Sequence, residues 1–196
     1  MDNLARNDIN SEHIWMETIE GKVVMMSPRP LVAHNVVATN ISRIFGNYLR
    51  GKTCRAFGDG VDVHLDEENT YVPDVVIVCD RSIVHRDGIY GALDLVVEVL
   101  SPSTSRNDRG AKMRHYAAAG VKEYWIVTPL GKSVEVYLNE NGRFELDDIY
   151  TEYDEQDLAR MDEKERAEVK TEIPVSFYDD FRVSVKEVFE DVGAFG

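Results

Sequence analysis

Apolar and polar positions change period several times along this chain, and each change marks an element. Between residues 32 and 49, Val37, Ile41, Ile44, Phe45 and Tyr48 recur three or four positions apart, which predicts an amphipathic helix closed by Gly51. Residues 61–65, Val-Asp-Val-His-Leu, alternate as a half-buried strand does, and Asp66, Glu67, Glu68 and Asn69 follow as an acidic turn. Residues 71–79 form the next strand. Residues 95–100 are almost wholly apolar, which predicts a central strand covered on both faces and ended by Ser101-Pro102. Residues 108–119 read as a helix stopped by Gly120, residues 123–127 as another buried strand, and residues 133–138 as its antiparallel neighbour. Residues 154–170 read as one charged helix with a poor apolar stripe, placed at the surface or at a subunit contact.

The ends are less regular. A mobile leader is expected to about Ser11, then a short helix or strand reaching Glu20-Gly21, then a strand over residues 23–26 stopped by Ser27-Pro28-Arg29-Pro30. Residues 175–177 and 181–188 complete the chain as elements of open type. This order predicts an α/β (α+β) protein, a mixed sheet flanked by helices. No linker rich in Pro, Gly or Ser divides the 196 residues, so one domain over residues 1–196 is expected.

Composition narrows the partners. Hydrophobic residues at 43% and charged residues at 30% suit a folded globular chain. The net charge of −14 counts against indiscriminate attraction to a phosphate backbone, so contact with nucleic acid requires a local basic patch. Two exist: Arg50, Lys52 and Arg55, and then Arg106, Arg109, Lys112 and Arg114. Each also reads as a solvated helix face. Cys54 and Cys79 have no partners at zinc-site spacing, and neither a disulfide framework nor a zinc knuckle is expected. Residues 1–10 lack the apolar core of a signal peptide and no run reaches the length of a membrane span, so the expectation is a cytoplasmic protein without a membrane partner.

Candidate chemistry lies inside the apolar runs. Asp74 and Glu98 are carboxylates among β-branched residues, where burial is costly unless a cation neutralises them. Strand parity puts Asp74 on one face with Val72 and Val76, and Glu98 on one face with Val96 and Leu100. If the strands are adjacent, the two acids and the carbonyl of Val99 form a ligand set for Mg²⁺ or Mn²⁺, with positions left for water and a phosphate oxygen. In the helix that follows, Asp108, Lys112, His115, Tyr116 and Ala119 share a face. Lys112 can then orient water or stabilise phosphoryl charge, or it forms only a surface pair with Asp108 worth about 0.3–0.5 kcal/mol. Spacing alone leaves both open. Glu17, between Trp15 and Ile19, reads either as a ligand of metal or water or as the partner of a helix N-terminus or an arginine. His34 reads as a helix-start histidine or as an imidazole touching the cleft, His64 and His115 as exposed or core-edge, and Tyr124 and Trp125 as core aromatics.

Longer strings carry a resemblance. Met16-Glu17-Thr18-Ile19-Glu20-Gly21, His34 at a helix start, Tyr71-Val72-Pro73-Asp74-Val75-Val76, residues 95–104, Asp108-Arg109 with Lys112 and Tyr116, and residues 120–127 together resemble the Uma-two-like family of restriction endonucleases, within the PD-(D/E)XK nucleases, over about residues 12–140. The usual lysine position of the strand motif is Leu100, and in this family the lysine is taken to have moved to the following helix, where Lys112 matches. The resemblance implies a restriction-endonuclease-like core followed by a C-terminal extension from about residue 141. It implies a metal-dependent endonuclease acting on DNA, with Asp74, Glu98 and Lys112 catalytic, Asp74 and Glu98 on the metal, and Glu17, His34 and Tyr116 accessory. Arg106, Arg109 and Arg114 are the expected nucleic-acid contacts, and a homodimer is expected. The family pattern has aspartate where this chain has Thr128. The alternative is a nuclease-fold protein that binds DNA or regulates without cutting.

Overall fold

A computed structural model describes residues 16–25, 31–101 and 105–193. Its elements are β1 (Met16–Ile19), β2 (Lys22–Met25), α1 (Val32–Tyr48), β3 (Arg55–Gly58), β4 (Val63–His64), β5 (Thr70–Tyr71), β6 (Val75–Val78), β7 (Ile89–Tyr90), β8 (Leu95–Val99), α2 (Ser105–Asp108), α3 (Ala111–Ala119), β9 (Glu123–Thr128), β10 (Ser133–Glu140), β11 (Arg143–Thr151), α4 (Glu155–Arg160), α5 (Glu163–Glu168), β12 (Glu172–Pro174), β13 (Arg182–Ser184) and α6 (Val185–Val188). The expected leader, Met26 and the 27–30 stop lie outside the described residues, as do residues 102–104.

The main sheet is mixed, in the order β11-β10-β9-β8-β6-β3, with β8 and β9 parallel and the other pairs antiparallel. Parity divides its side chains cleanly. Val75, Ile77, Leu95, Val97 and Val99 meet Val37, Ile41, Ile44 and Phe45 of α1, joined by Ile173, Val183, Val185 and Val188 from the C-terminal elements. Val76, Val78, Val96, Tyr124 and Ile126 face the other way, onto Tyr116 of α3 and onto Val63, Tyr71 and Ile89 of a smaller sheet ordered β2-β1-β5-β4-β7. Both layers exclude water from β8, as the apolar run 95–100 predicts. A carboxylate on β8 therefore has to find its partners inside the protein.

Several expectations are corrected. Residues 71–79 are not one strand, because β5 belongs to the small sheet and β6 to the large one, with Pro73-Asp74 between them. Proline has no N–H for a ladder, so the change of sheet costs no hydrogen bond at that position. The helix expected over residues 108–119 breaks in two at Arg109-Gly110. A Cβ at Gly110 would lie 2.6 Å from the Arg106 carbonyl oxygen, so the turn between α2 and α3 requires glycine. Residues 154–170 form two short helices, each opened by an aspartate: Asp154 accepts from the Gln156 and Asp157 amides, and Asp162 builds a capping box with Glu165. The uncertain first segment is a strand, and Glu20 and Gly21, both at positive φ, close its hairpin with β2.

Cys54 and Cys79 form a disulfide, contrary to expectation. The β3–β6 register sets Arg55 opposite Val78, so the cysteines face each other one step beyond the ladder. Neither residue's sequence context announces this; the pairing of the strands does. The bridge closes a loop over a separation of 25 residues that contains Asp74. Reduction with dithiothreitol, or Cys54→Ser together with Cys79→Ser, is expected to remove about 2–4 kcal/mol of stability. Denaturant melts check this, and coincident curves for oxidised and reduced protein would contradict it.

Candidate active site

Strand pairing builds the site. The β6–β8 ladder sets Val75 opposite Val97, which places Asp74 opposite Glu98 at the end of β6. Asp74 Oδ2 accepts the Val99 amide at 2.7 Å, and its Oδ1 lies 3.2 Å from His34 Nε2 in the first turns of α1. Burial works against charge on His34, but Asp74 outweighs it and the Val99 carbonyl adds to the effect, so the imidazole's proton affinity is raised. Asp59, one residue beyond β3, stands opposite Asp74 by the same kind of register, since Gly58 pairs with Val75. Its proton affinity is raised by burial and then by Asp74. Sequence patterning gave no sign of Asp59, because only the β3–β6 pairing brings it to the site.

Lys112 is the second centre. Its side chain is 4% exposed, and Nζ lies 2.8 Å from Glu17 Oε1, 3.4 Å from Glu98 Oε1 and 3.5 Å from Asp108 Oδ1. The surface pair with Asp108 considered above is therefore a buried group of three carboxylates around one ammonium. Burial alone would favour the neutral amine, but Glu98, Glu17 and Asp108 outweigh it and raise the lysine's proton affinity. Lys112 is held charged, which suits electrostatic work and not service as a base. Tyr116 donates to Glu98 Oε1 at 3.3 Å, and burial followed by the Glu98 charge keeps its phenol protonated.

Glu98 carries the strain of this arrangement. Burial raises its proton affinity well above the ordinary glutamate value; Lys112 opposes the rise, while Asp108, Asp74 and Glu17 reinforce it. Four carboxylates, those of Glu17, Asp74, Glu98 and Asp108, thus share one lysine and one histidine. Glu17 turns out to be neither a helix-terminus nor an arginine partner: besides Lys112, its Oε1 accepts the Val72 amide at 3.2 Å, two residues before Asp74.

The remaining expected residues are spread more widely. Arg106 and Arg114 are exposed. Arg109 is engaged by Glu135 of β10 through two bonds of 2.5 and 2.6 Å, and Glu135 also accepts from Tyr137. His115 Nδ1 meets the Tyr71 hydroxyl at 2.6 Å at the edge of the core, and His64 bonds Thr70. Arg55 pairs across from Val78, at the opposite end of β6 from Asp74, so the first basic patch is remote from the acids. Tyr124 and Trp125 are fully buried, and Thr128 ends β9.

Asp74, Glu98 and the Val99 carbonyl would offer hard oxygen donors, which suit Mg²⁺ or Mn²⁺ better than zinc. Among the described residues, no three His, Cys, Asp or Glu side chains converge as a ready-made metal cluster. The excess of carboxylate is the feature of the chain that fits a divalent cation.

Lys112→Met is expected to cost the metal-free protein about 3–5 kcal/mol near neutral pH, since it leaves buried carboxylates unbalanced. Glu98 binds its proton at higher pH folded than unfolded, so its contribution favours folding at low pH and is lost as pH rises through the raised value. The deficit of the variant should therefore shrink on acidification. Urea melts in EDTA between about pH 8 and pH 5 measure it, and a deficit independent of pH would contradict this electrostatic origin.

A protein of Synechocystis sp., named only as uncharacterised, is 32% identical over 106 residues, a stretch covering 53% of this chain and 56% of that protein. The chain thus spans about half the length of the curated relative it matches. A crystal structure from Anabaena variabilis, titled as a "putative nuclease belonging to DUF820", shares the fold with a TM-score of 0.66 at 22% identity, covering 89% of each chain. The model of the Uma2 family, described as "Putative restriction endonuclease", matches residues 4–164, most of the chain, and the protein belongs to that family.

Proposed function

We propose that the protein is a divalent-metal-dependent endonuclease hydrolysing phosphodiester bonds in DNA. The observation that carries this reading is the surplus of carboxylates: Asp74 opposite Glu98 across two adjacent strands, with a single lysine buried beside them. Asp74, Glu98 and the carbonyl of Val99 would hold Mg²⁺ or Mn²⁺. Such an ion supplies Lewis acidity and activates water as a nucleophile.

The other roles belong to the chain's own groups. Asp74 is held by the Val99 amide and His34, so its carboxylate is oriented before substrate arrives. Lys112, charged and shielded from water, stabilises negative charge developing on the phosphoryl oxygens as water attacks phosphorus and the P–O bond to the leaving oxygen breaks. Tyr116 keeps one oxygen of Glu98 in place. Exposed Arg106 and Arg114 offer contacts to the DNA phosphates. The family description and the shared nuclease fold support DNA as the substrate class.

A second reading, a nuclease-fold protein that binds DNA without cutting it, draws on the net charge of −14 and on the commitment of Arg109 to Glu135. One assay separates the two. With Mg²⁺ or Mn²⁺, purified protein should cleave plasmid or oligonucleotide DNA, EDTA should abolish the cleavage, and Asp74→Asn, Glu98→Gln or Lys112→Met should each lower it by about 10²–10³-fold. Tight binding without turnover favours the second reading, and cleavage unaffected by Asp74→Asn overturns the first.

A further inference from the structure

We infer that Glu17 is a positioning residue whose charge draws the Lys112 ammonium to itself and limits it to a long hydrogen bond with Glu98, leaving Glu98 available to the cation. The inference rests on the metal reading above. Lysine and a divalent ion compete for the same carboxylate, and the lysine is already within reach: Nζ is 3.4 Å from Glu98 Oε1. It lies closer to Glu17, at 2.8 Å. An ammonium placed between carboxylates settles where the opposing charge is nearest and best fixed. Glu17 meets both conditions.

Its fixation comes from outside the large sheet. Glu17 lies on β1, opposite Val24 of β2, and belongs to the small sheet, whereas Glu98 belongs to the large one. The Val72 amide donates to the same Oε1, and the side chain is 6% exposed. Glu17 therefore has little freedom to follow Lys112 toward Glu98. Lys112 is set from its own side by the Gly110 turn that starts α3. Its remaining neighbour, Asp108, stands 3.5 Å away, no nearer than Glu98. If Glu17 loses its charge, Glu98 becomes a leading alternative for the ammonium, and the metal loses a ligand to it.

A double-mutant cycle on metal affinity tests this, with Mn²⁺ as the probe, free ion followed by electron paramagnetic resonance, and no substrate present. Glu17→Gln keeps the shape and an oxygen for the Val72 amide while removing the charge. With Lys112 in place, Glu17→Gln should weaken Mn²⁺ binding on the order of tenfold or more. In the Lys112→Met background, the same Glu17→Gln change should produce no loss, because no ammonium remains to compete. An equal loss in both backgrounds overturns the inference, since it would make Glu17 a direct ligand or a structural prop. Undiminished binding with Lys112 in place also overturns it. Absence of Mn²⁺ binding by the unmodified protein overturns the metal reading itself, and that failure is seen before any substitution is made.

Discussion

One ammonium shared among three buried carboxylates is the interaction on which this arrangement depends. Lys112 links Glu17 on the small sheet, Glu98 on the centre of the large sheet and Asp108 on the preceding helix. A charge group of this kind is a weak source of net stability, because desolvation consumes most of the Coulombic gain. Its consequence is specificity of placement. Two sheets and a broken helix are brought to a common point that an apolar core would not define so closely.

The rest of the site follows from backbone pairing. Asp74 faces Glu98 because β6 and β8 pair in one register, and a slip of one residue would turn Glu98 into the layer beneath α1. Pro73 releases the chain from the small sheet just before Asp74, so the carboxylate emerges where the two layers part. The Val72 amide, which has no place in either ladder, is taken by Glu17. Satisfying that backbone donor and anchoring the lysine are thus accomplished by one oxygen atom.

Much of this could be read from the residues, and the remainder has a physical explanation. The run 95–100 announces a central strand because burial on both faces leaves few polar positions, and the period of residues 32–49 announces α1 because only one of its faces is buried. Asp74, Glu98 and Lys112 stood out as charges in or beside apolar runs, and the structure brings them together. The partners of Glu17, the place of Asp59 and the Cys54–Cys79 bridge depend on which elements lie side by side, a long-range property that local pattern does not carry. The breaks at residues 73–74 and 110 fall on Pro73 and Gly110, but the sequence does not show that they divide two sheets and two helices, and at Gly110 a contact with the Arg106 carbonyl, invisible in the sequence, enforces the turn. Arg109 shows the converse: a cation that reads as a phosphate contact is bound by Glu135 of β10.

The proposed cation site is formed by the site carboxylates, with Lys112 beside it as a permanent charge. Anomalous diffraction from a crystal soaked in Mn²⁺ tests it most directly. The account predicts a peak bounded by Asp74, Glu98 and the Val99 carbonyl, with Lys112 still seated on Glu17. A crystal in which the ion binds elsewhere, or in which Lys112 closes onto Glu98 and no ion enters, would contradict it.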